Sequence, residues 1–478
     1  EQMNLFKDMV CYQEEVRDPS RMAEVLNRVI EKAFRGSAPA QINVPRDYWT
    51  QVVEIEIPPI VRFERQGGGK EAINKAAKLL SEAKFPVILS GAGVVIGDAI
   101  EDCKKLAEKL DAPVCSGYQH NDSFPGNHPL AVGPLGYNGS KAAMELISKA
   151  DVVLALGTRL NPFSTLPGYG IDYWPKNATI IQVDMNPDRI GLTKKVTVGI
   201  CGDAKMVAKQ LSEKLSSNAG DNGREERKNL IHQTKSAWLQ TLTSLDHEED
   251  DPGTVWNKEA RERDSDRMSP RQAWRAIQSG MPDDVIISSD IGNNCAIGNA
   301  YPTFEKGRKY LAPGLFGPCG YGFPSILGAK IGCPNTPVIG FAGDGAFGIS
   351  MNEMSSCARK EWPAITMVIF RNYQWGAEKR NSILWFDDNF IGTELDPELS
   401  YAKVANACGL KGVAVKTMEE TTKAIKQSCE DQKKGITTFI EVILNQELGE
   451  PFRRDAMKKP VEIAGISKDD MKPQKSLI

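Results

Sequence analysis

Residues 338–347 read Val338-Ile339-Gly340-Phe341-Ala342-Gly343-Asp344-Gly345-Ala346-Phe347, an apolar run that ends in Gly-Asp-Gly. The pattern predicts a buried parallel strand followed by a helix. Glycine backbones can approach a ligand closely, and the N–H groups at the start of a helix can face a phosphate. Asp344 adds a carboxylate oxygen, the kind of ligand that Mg²⁺ prefers. An isolated Gly-Asp-Gly is more often an ordinary turn, so the surrounding sequence has to decide.

A second apolar strand provides that context. Residues 365–370 form the next predicted strand, which ends at Arg371-Asn372-Tyr373-Gln374-Trp375-Gly376. Parallel strands end at a common edge of the sheet, and ligands bind at that edge in α/β proteins. The sequence therefore predicts that Asp344 and Asn372 lie close together there.

The domain organisation follows from strands that alternate with helices, which predicts an α/β fold of parallel-sheet, three-layer domains. The chain does not begin with Met, and we expect it to be a fragment or a processed product. We predict the following segments: 1–55, the end of a domain that is mostly absent; 65–215, a Rossmann-like middle domain; 216–267, a charged and solvated linker with one helix near Arg224–Leu245; 268–450, the domain that carries Gly-Asp-Gly; and 451–478, a C-terminal tail.

The middle segment contains a glycine-rich turn, Gly91-Ala92-Gly93-Val94-Val95-Ile96-Gly97, directly after an apolar strand. The turn suggests dinucleotide binding, but it lacks the G-x-G-x-x-G spacing of that motif. We therefore predict a structural role for these glycines.

The two-strand motif resembles the thiamine-diphosphate-dependent, acetohydroxyacid synthase-like family, in which Gly-Asp-Gly is followed by a strand that ends in Asn-Asn. The resemblance implies the cofactors thiamine diphosphate and Mg²⁺, with the metal held by Asp344, Asn372 and the main chain of Gln374. Arg371 stands where the family has its first Asn. We predict that Arg371 adds positive charge near the site without touching the metal ligands.

Two earlier segments are similar to the same family. Residues 288–294 match a segment that contacts the diphosphate, and residues 314–324 match a glycine-rich loop whose Met wedges between the cofactor rings. Cys319 is the smaller residue at that Met position. The resemblance implies cofactor binding by Gly292, Asn293, Asn294, Gly317, Cys319, Gly343, Asp344, Gly345, Ala346, Asn372, Gln374 and Gly376.

Within the family, residues 352–363, 371–381 and 449–456 most resemble the sulfoacetaldehyde acetyltransferases, which belong to sulfonate and taurine metabolism. The resemblance implies an acyltransferase that converts sulfoacetaldehyde and phosphate to acetyl phosphate and sulfite. One alternative is an acetohydroxyacid synthase or pyruvate oxidase-like enzyme that acts on pyruvate, with or without FAD. Another is a non-catalytic, truncated subunit.

Both implied substrates are anions, so cationic side chains should converge beside the cofactor. Arg371, Lys379 and Arg380 follow the second strand and are the candidates for anion binding. A solvated helix face is about equally compatible with Lys379 and Arg380. In the family, a Glu of the first domain activates the cofactor of a partner subunit. The catalytic residue is therefore expected in the missing segment, and a homodimer or homotetramer is expected.

Composition argues against nucleic-acid binding, membrane-spanning and secreted classes of protein. A formal charge of −3 argues against a nucleic-acid partner. No apolar run reaches the ~18 residues of a membrane span, and no signal peptide is visible. The 10 cysteines include no C-x-x-C pair, as is usual for reduced thiols, and the expected location is cytoplasmic.

Overall fold

The computed structural model describes residues 1–59, 64–245, 262–314, 316–359, 361–385 and 389–448. Some predicted features lie outside them: Leu315 of the glycine-rich loop, residues 246–261 of the linker, the family-like stretch 449–456 and the tail 451–478. The chain divides into two compact units, Glu1–Arg65 and Gln66–Ile478. Among the helices described, none combines the length and the apolar character needed to cross a bilayer.

The first unit is a small αβ arrangement around a parallel strand pair. Its elements are α1 (Gln2–Phe6), β1 (Tyr12–Glu15), α2 (Met22–Gly36) and β2 (Ala40–Asn43). β1 pairs with β2, and Val25 and Val29 of α2 pack with Val16 in its core. The β1 sequence, Tyr-Gln-Glu-Glu, has no alternating apolar pattern, so periodicity alone does not reveal this strand.

The second unit begins with a six-stranded parallel sheet whose strand order is β5-β4-β3-β6-β7-β8. Every residue of β3 and β6 is buried, as expected for strands with helices on both faces of the sheet. The elements are α3 (Lys70–Glu82), β3 (Pro86–Ser90), α4 (Ala92–Ile96), α5 (Ile100–Leu110), β4 (Val114–Ser116), β5 (Ala131–Pro134), α6 (Lys141–Ile147), β6 (Val152–Leu156), β7 (Thr179–Asp184), β8 (Val198–Cys201) and α7 (Ala204–Lys214).

The glycine-rich turn after β3 packs directly against the turn after β6. A Cβ atom at Gly93 would lie 2.7 Å from the Cα of Gly157, and a Cβ at Gly91 would lie 2.5 Å from the Cβ of Thr158. Such distances are too short for any side chain, so glycine is required by the contact between the two turns. This packing supports the prediction of a structural role for these glycines.

Helix α8 (Arg224–Leu245) corrects the prediction of a solvated linker. Its Arg227 is fully buried, and its Ile231 belongs to the core of the middle domain. Trp238 and Leu242 of the same helix pack in the core that also contains Trp274. The guanidinium of Arg227 donates to the backbone carbonyls of Lys84, Leu110, Asp111, Gly220 and Asn222. The charged composition conceals these contacts, because a buried arginine has the same sequence signature as an exposed one.

A second six-stranded parallel sheet follows, with strand order β10-β9-β11-β12-β14-β13. Its first helix has a capping box formed by Ser269 and Gln272. The elements are α9 (Pro270–Gly280), β9 (Ile286–Ser289), α10 (Asn293–Ile297), β10 (Tyr310–Leu311), α11 (Gly322–Gly332), β11 (Val338–Gly343), α12 (Asp344–Ser350), α13 (Met354–Cys357), β12 (Thr366–Arg371), α14 (Gly376–Trp385), α15 (Tyr401–Ala407), β13 (Lys411–Val415), α16 (Met418–Lys433) and β14 (Thr438–Ile443).

The strands that carry the motif residues are neighbours in this sheet. β11 pairs with β12, with Gly343 opposite Phe370, and β9 lies on the other side of β11. The ring of Trp274 packs on Phe341 of β11, 4.7 Å between centroids, and on Phe370 of β12, 5.3 Å between centroids. Trp274 therefore contacts both strands. The segments that follow β9, β11, β12 and β14 therefore leave the sheet at the same edge, the one formed by the carboxyl ends of the parallel strands.

Candidate cofactor and metal site

Asp344 lies at this edge, fully buried at the start of α12. Its Oδ2 accepts hydrogen bonds from Nη1 of Arg371 at 3.0 Å and from the backbone N–H of Tyr373 at 2.7 Å. Its Oδ1 accepts from the backbone N–H of Gly345 at 3.0 Å. Asn372 lies between Arg371 and Tyr373 in the chain, so the structure brings Asp344 and Asn372 to the same edge, as the sequence predicts.

Burial dominates the electrostatics of this carboxyl group. Desolvation raises the pKa of Asp344 to about 6, while Arg371 and the backbone N–H groups of Tyr373 and Gly345 oppose the rise. A further positive charge would favour the ionised form in the same way as Arg371 does. The environment of Asp344 therefore suits a carboxylate that binds a cation.

The prediction that Arg371 does not touch the metal ligands is wrong, because its side chain contacts Asp344. Besides its ion pair with Asp344, its Nε lies 3.7 Å from Oε1 of Glu441, and its Nη2 donates to the backbone carbonyls of Asp396 and Leu399. The side chain is fully buried. These contacts occupy the guanidinium, so Arg371 is poorly placed to bind a substrate anion, contrary to the prediction.

Asn372 presents a buried amide with unused hydrogen-bonding capacity. Its Nδ2 is buried and has no hydrogen-bond partner among the described residues. A Cβ at Gly376 would lie 3.6 Å from this atom, so Gly376 faces the amide closely. A rotation of the amide by half a turn would place Oδ1 at the same position. A cation ligand at Asn372 would therefore satisfy an amide that the protein leaves incomplete.

Gln374 is fixed by a closed ring of hydrogen bonds and one ion pair among four residues, in which one link goes through the backbone carbonyl of Gln446. Its Nε2 donates to the carbonyl of Gln446 at 2.9 Å, and its Oε1 accepts from Nζ of Lys379 at 3.1 Å. Lys379 also pairs with Glu394 at 2.7 Å, and Glu394 accepts from Nε2 of Gln446 at 2.9 Å. The ring holds the backbone at Gln374 in place. It also pairs the charge of Lys379 with a carboxylate, which makes this lysine a weaker candidate for anion binding.

The segment after β9 lies beside Gly376, where a Cβ would be 3.5 Å from the Cβ of Asn293. Asn293 donates through Nδ2 to the carbonyl of Leu448, and its Oδ1 lies 3.4 Å from Nη1 of Arg380. The Oδ1 of Asn294 is buried without a hydrogen-bond partner in the described chain. Gly292 has a φ of 123°, a conformation that glycine adopts readily. This segment thus combines a glycine turn with polar side chains, as the resemblance implies for a diphosphate contact.

The glycine-rich loop is held by a residue that the sequence reasoning did not single out. Asp290 accepts hydrogen bonds from the backbone N–H groups of Gly320 at 3.1 Å and Gly322 at 2.7 Å. Burial raises the pKa of Asp290, and these backbone N–H groups oppose the rise. Gly317 has a φ of 61°. Partial desolvation raises the pKa of the Cys319 thiol, although the residue is exposed, and nearby carboxylates add smaller effects of the same sign.

The residues present fit a diphosphate and a divalent cation. A Cβ at Gly343 would meet no atom within 4 Å, so the backbone there faces open space beside Asp344. Across the described ranges, no group of three or more His, Cys, Asp and Glu side chains could hold a metal. The predicted ligand set contains one such side chain, Asp344, with an amide, a carbonyl and phosphate oxygens beside it. Those are hard oxygen ligands, which Mg²⁺ prefers.

Comparisons with known proteins identify the types of domain in this chain. Residues 73–211 match the family model "Thiamine pyrophosphate enzyme, central domain", and residues 290–442 match "Thiamine pyrophosphate enzyme, C-terminal TPP binding domain". The chain is 75% identical over 477 residues to the probable sulfoacetaldehyde acetyltransferase of Rhizobium meliloti, covering 100% of this chain and 81% of the relative. The chain belongs to the sulfoacetaldehyde acetyltransferase family. This family is one of the thiamine pyrophosphate enzymes.

A further member of the sulfoacetaldehyde acetyltransferase family, from Roseovarius nubinhibens, is 73% identical over 99% of this chain and 79% of its own length. The solved structure of benzoylformate decarboxylase from Polynucleobacter necessarius superposes with a TM-score of 0.72 at 19% identity. It covers 93% of this chain and 78% of that chain. At this identity the likeness shows the fold alone, the parallel-sheet α/β architecture.

Several residues at the site of this sulfoacetaldehyde acetyltransferase family member escape sequence reasoning. The hydroxyl of Tyr401 donates to the carbonyl of Asp344 at 2.8 Å, and Tyr373 has a φ of 60°, which is unusual for a residue other than glycine. Trp375 lies against Gly345, where a Cβ would be 2.8 Å from its ring. For Glu441 a signal did exist, because it is a lone carboxylate inside the apolar strand Thr438-Phe439-Ile440-Glu441-Val442-Ile443.

Proposed function

We propose that this chain, with thiamine diphosphate and Mg²⁺, converts sulfoacetaldehyde and phosphate to acetyl phosphate and sulfite. The observation that supports it most is the position of Asp344 beside the Asn372 turn, with Oδ2 of Asp344 2.7 Å from the N–H of Tyr373. It occurs in a chain that is 75% identical to a protein named probable sulfoacetaldehyde acetyltransferase. When bound, thiamine diphosphate supplies the nucleophilic carbon for attack on the aldehyde.

The protein contributes ligands and fixed geometry. Asp344, Asn372 and the main chain of Gln374 would hold Mg²⁺, and the hydrogen bonds to Asp344 and the ring around Gln374 keep two of these ligands in place. The diphosphate would lie along the glycine and asparagine turns. Its contacts would come from Gly292, Asn293, Asn294, Gly343, Gly345, Ala346 and Gly376. Gly317 and Cys319 belong to the loop that resembles the family's contact with the cofactor rings.

Arg380 is the proposed cation for the substrate anion, because it lies beside the segment that resembles a diphosphate contact. It lies on α14, with Nη1 3.4 Å from Oδ1 of Asn293 and its guanidinium 5.0 Å from the ring centroid of Tyr137. A guanidinium beside the diphosphate segment can donate to a sulfonate or a phosphate. Substitution of Arg380 should therefore raise KM for sulfoacetaldehyde or phosphate more than it lowers kcat.

The wider organisation is part of the same proposal. A homodimer or homotetramer follows the resemblance. The domain limits 65–215 and 268–450 follow the alternation of strands and helices, and a cytoplasmic location follows the scattered cysteines. We also propose that the activating Glu belongs to a partner subunit, because the family builds its site from two subunits. Helix α8 places residues in the cores of both second-unit sheets. Within the segment 216–267, the part that forms α8 is therefore packed against both domains and is not a solvated linker.

The test is a reaction of the full-length protein with sulfoacetaldehyde, phosphate, Mg²⁺ and thiamine diphosphate. Sulfite and acetyl phosphate should form in equal amounts and require both cofactors. Asp344→Asn should abolish both products, whereas Arg380→Lys should retain more activity than Arg380→Gln. Turnover of pyruvate without sulfite would instead favour an acetohydroxyacid synthase or pyruvate oxidase-like enzyme. Cofactor binding without any turnover would favour the non-catalytic subunit.

A further inference from the structure

The two oxygens of Asp344 are used unequally. Oδ2 accepts from Nη1 of Arg371 at 3.0 Å and from the N–H of Tyr373 at 2.7 Å, whereas Oδ1 accepts from the N–H of Gly345 at 3.0 Å. A carboxylate oxygen offers about two lone pairs to donors or metals. Both positions on Oδ2 are therefore taken, and one position on Oδ1 remains.

Other contacts of the Arg371 guanidinium, made by Nη2 and Nε, keep its Nη1 on Oδ2 of Asp344. Nη2 donates to the carbonyl of Leu399 at 3.0 Å and to that of Asp396, and Nε lies 3.7 Å from Oε1 of Glu441. The guanidinium also stacks 4.2 Å from the ring centroid of Tyr373. Arg371 could leave Asp344 only by breaking these buried contacts, which is strongly unfavourable for a charged group.

Glu441 is itself fixed. Its Oε2 accepts from Oγ of Ser400 at 2.6 Å and from the backbone N–H of Ala402 at 3.1 Å, at the start of α15. Tyr401, between these two residues, donates to the carbonyl of Asp344 at 2.8 Å. Arg371 is thus part of a rigid, buried arrangement that reaches Asp344 from two directions.

We propose that Arg371 is a positioning residue that confines a metal ion to one oxygen of Asp344 and thereby makes the site select Mg²⁺ over Ca²⁺. This inference rests on the proposed function, which places a divalent cation at Asp344. Mg²⁺ demands compact octahedral coordination, whereas Ca²⁺ takes more ligands and readily binds both oxygens of one carboxylate. A carboxylate whose Oδ2 is blocked can offer a single oxygen, which suits the smaller ion.

The experiment measures the dissociation constants of Mg²⁺ and Ca²⁺ for the full chain in the presence of thiamine diphosphate, by calorimetry or by quenching of tryptophan fluorescence. In the wild-type protein the constant for Ca²⁺ should exceed that for Mg²⁺ by about tenfold or more. Arg371→Gln should bring the ratio of the two constants to within about threefold. An unchanged ratio in this variant would overturn the inference.

Two further variants guard against a folding defect. Arg227→Ala removes a buried guanidinium that has no contact with the site residues named above, so it should lower the melting temperature and leave the ratio as in the wild type. If Arg371→Gln does not fold, Arg371→Lys decides the matter. An ammonium lacks the fork that reaches Asp344 and the carbonyls of Asp396 and Leu399 together, so the ratio should fall in Arg371→Lys as well.

The outcomes for the wild-type protein separate this inference from the proposed function. If neither cation binds in the presence of thiamine diphosphate, the proposed function fails. If both cations bind with equal dissociation constants, the cofactor assignment stands and only the role of Arg371 is overturned. Because the ratio compares two ions on the same folded molecules, a loss of stability alone does not change it.

Discussion

The carboxylate of Asp290 accepts a hydrogen bond from the backbone N–H of Gly322 at 2.7 Å, and a second, from Gly320, at 3.1 Å. Asp290 follows β9, and Gly322 begins α11, so the pair fixes the glycine-rich loop to the edge where Asp344 lies. A Cβ at Gly322 would lie 3.0 Å from the backbone N of Asp290, which shows how closely the two segments approach. The loop conformation therefore depends on one buried carboxylate.

Asp290→Asn should loosen this loop. An amide can accept at only one of its two ends, so a buried N–H would lose its acceptor, at a cost of about 1–3 kcal/mol. We expect a drop of that size in the free energy of unfolding and a roughly tenfold weaker affinity for thiamine diphosphate. Urea denaturation and calorimetric titration measure the two effects. Asp284→Asn, which alters an exposed carboxylate paired with Lys309, is the control and should change neither. Equal cofactor affinity in Asp290→Asn and the wild type would contradict the role of the loop.

The two glycines of the Gly-Asp-Gly motif should respond differently to alanine. A Cβ at Gly343 would meet no atom within 4 Å, whereas a Cβ at Gly345 would lie 2.8 Å from the ring of Trp375. Gly343→Ala should therefore leave the cofactor-free protein as stable as the wild type but weaken thiamine diphosphate binding by about tenfold or more. Gly345→Ala should lower the free energy of unfolding by about 1–3 kcal/mol because the indole must move.

Each variant of this pair acts as the control for the other. Melting temperatures of the cofactor-free proteins and calorimetric titrations with thiamine diphosphate supply both readouts. In the Gly345→Ala background, Trp375→Leu should restore part of the lost stability, since the smaller side chain makes room for the new methyl group. Normal cofactor affinity in Gly343→Ala would argue that the diphosphate lies elsewhere.

The arrangement of Asp344 and Asn372 could be predicted because it needs only two parallel strands and the rule that their ends share an edge. The contact between Arg371 and Glu441 could not. It depends on β14 being the neighbour of β12, with Glu441 opposite Ile369, and the order of strands in a sheet is not written in the periodicity of either strand. The paired state of Lys379 escaped prediction for the same reason, because Glu394 belongs to an irregular segment whose path the sequence does not specify.

Arg227 of helix α8 offers a test of the corrected linker. Its guanidinium donates to five backbone carbonyls, those of Lys84, Leu110, Asp111, Gly220 and Asn222. Arg227→Ala would leave buried carbonyls without donors, so we expect a loss of about 3–5 kcal/mol in the free energy of unfolding, measured with urea. Lys228→Ala, at a half-exposed position on the same helix, should stay within about 0.5 kcal/mol of the wild type. A small effect of Arg227→Ala would restore the solvated-linker interpretation.

His120 should make the stability of the protein depend on pH. Burial, assisted by the positive charge of Arg159, lowers the pKa of His120 to about 4. In the unfolded chain, an ordinary histidine with a pKa of about 6.5 takes up a proton below that pH, while the folded protein does so only near pH 4. The unfolded state therefore binds more protons between these values, and stability falls as the pH falls through this window. For this group, the loss between pH 7 and pH 5 should be about 2 kcal/mol.

His120→Gln removes the titrating group, so its free energy of unfolding should fall by about 2 kcal/mol less than that of the wild type over the same interval. Urea denaturation of both proteins at pH 7 and pH 5 gives the comparison. The contributions of the other titrating groups are the same in both proteins and cancel in the difference. Arg159→Gln is the matched variant, because it keeps the imidazole and removes the opposing charge, and it should reduce the pH dependence only in part. If His120→Gln and the wild type lose the same stability between the two pH values, the histidine takes up its proton at the same pH in the folded protein as in the unfolded chain.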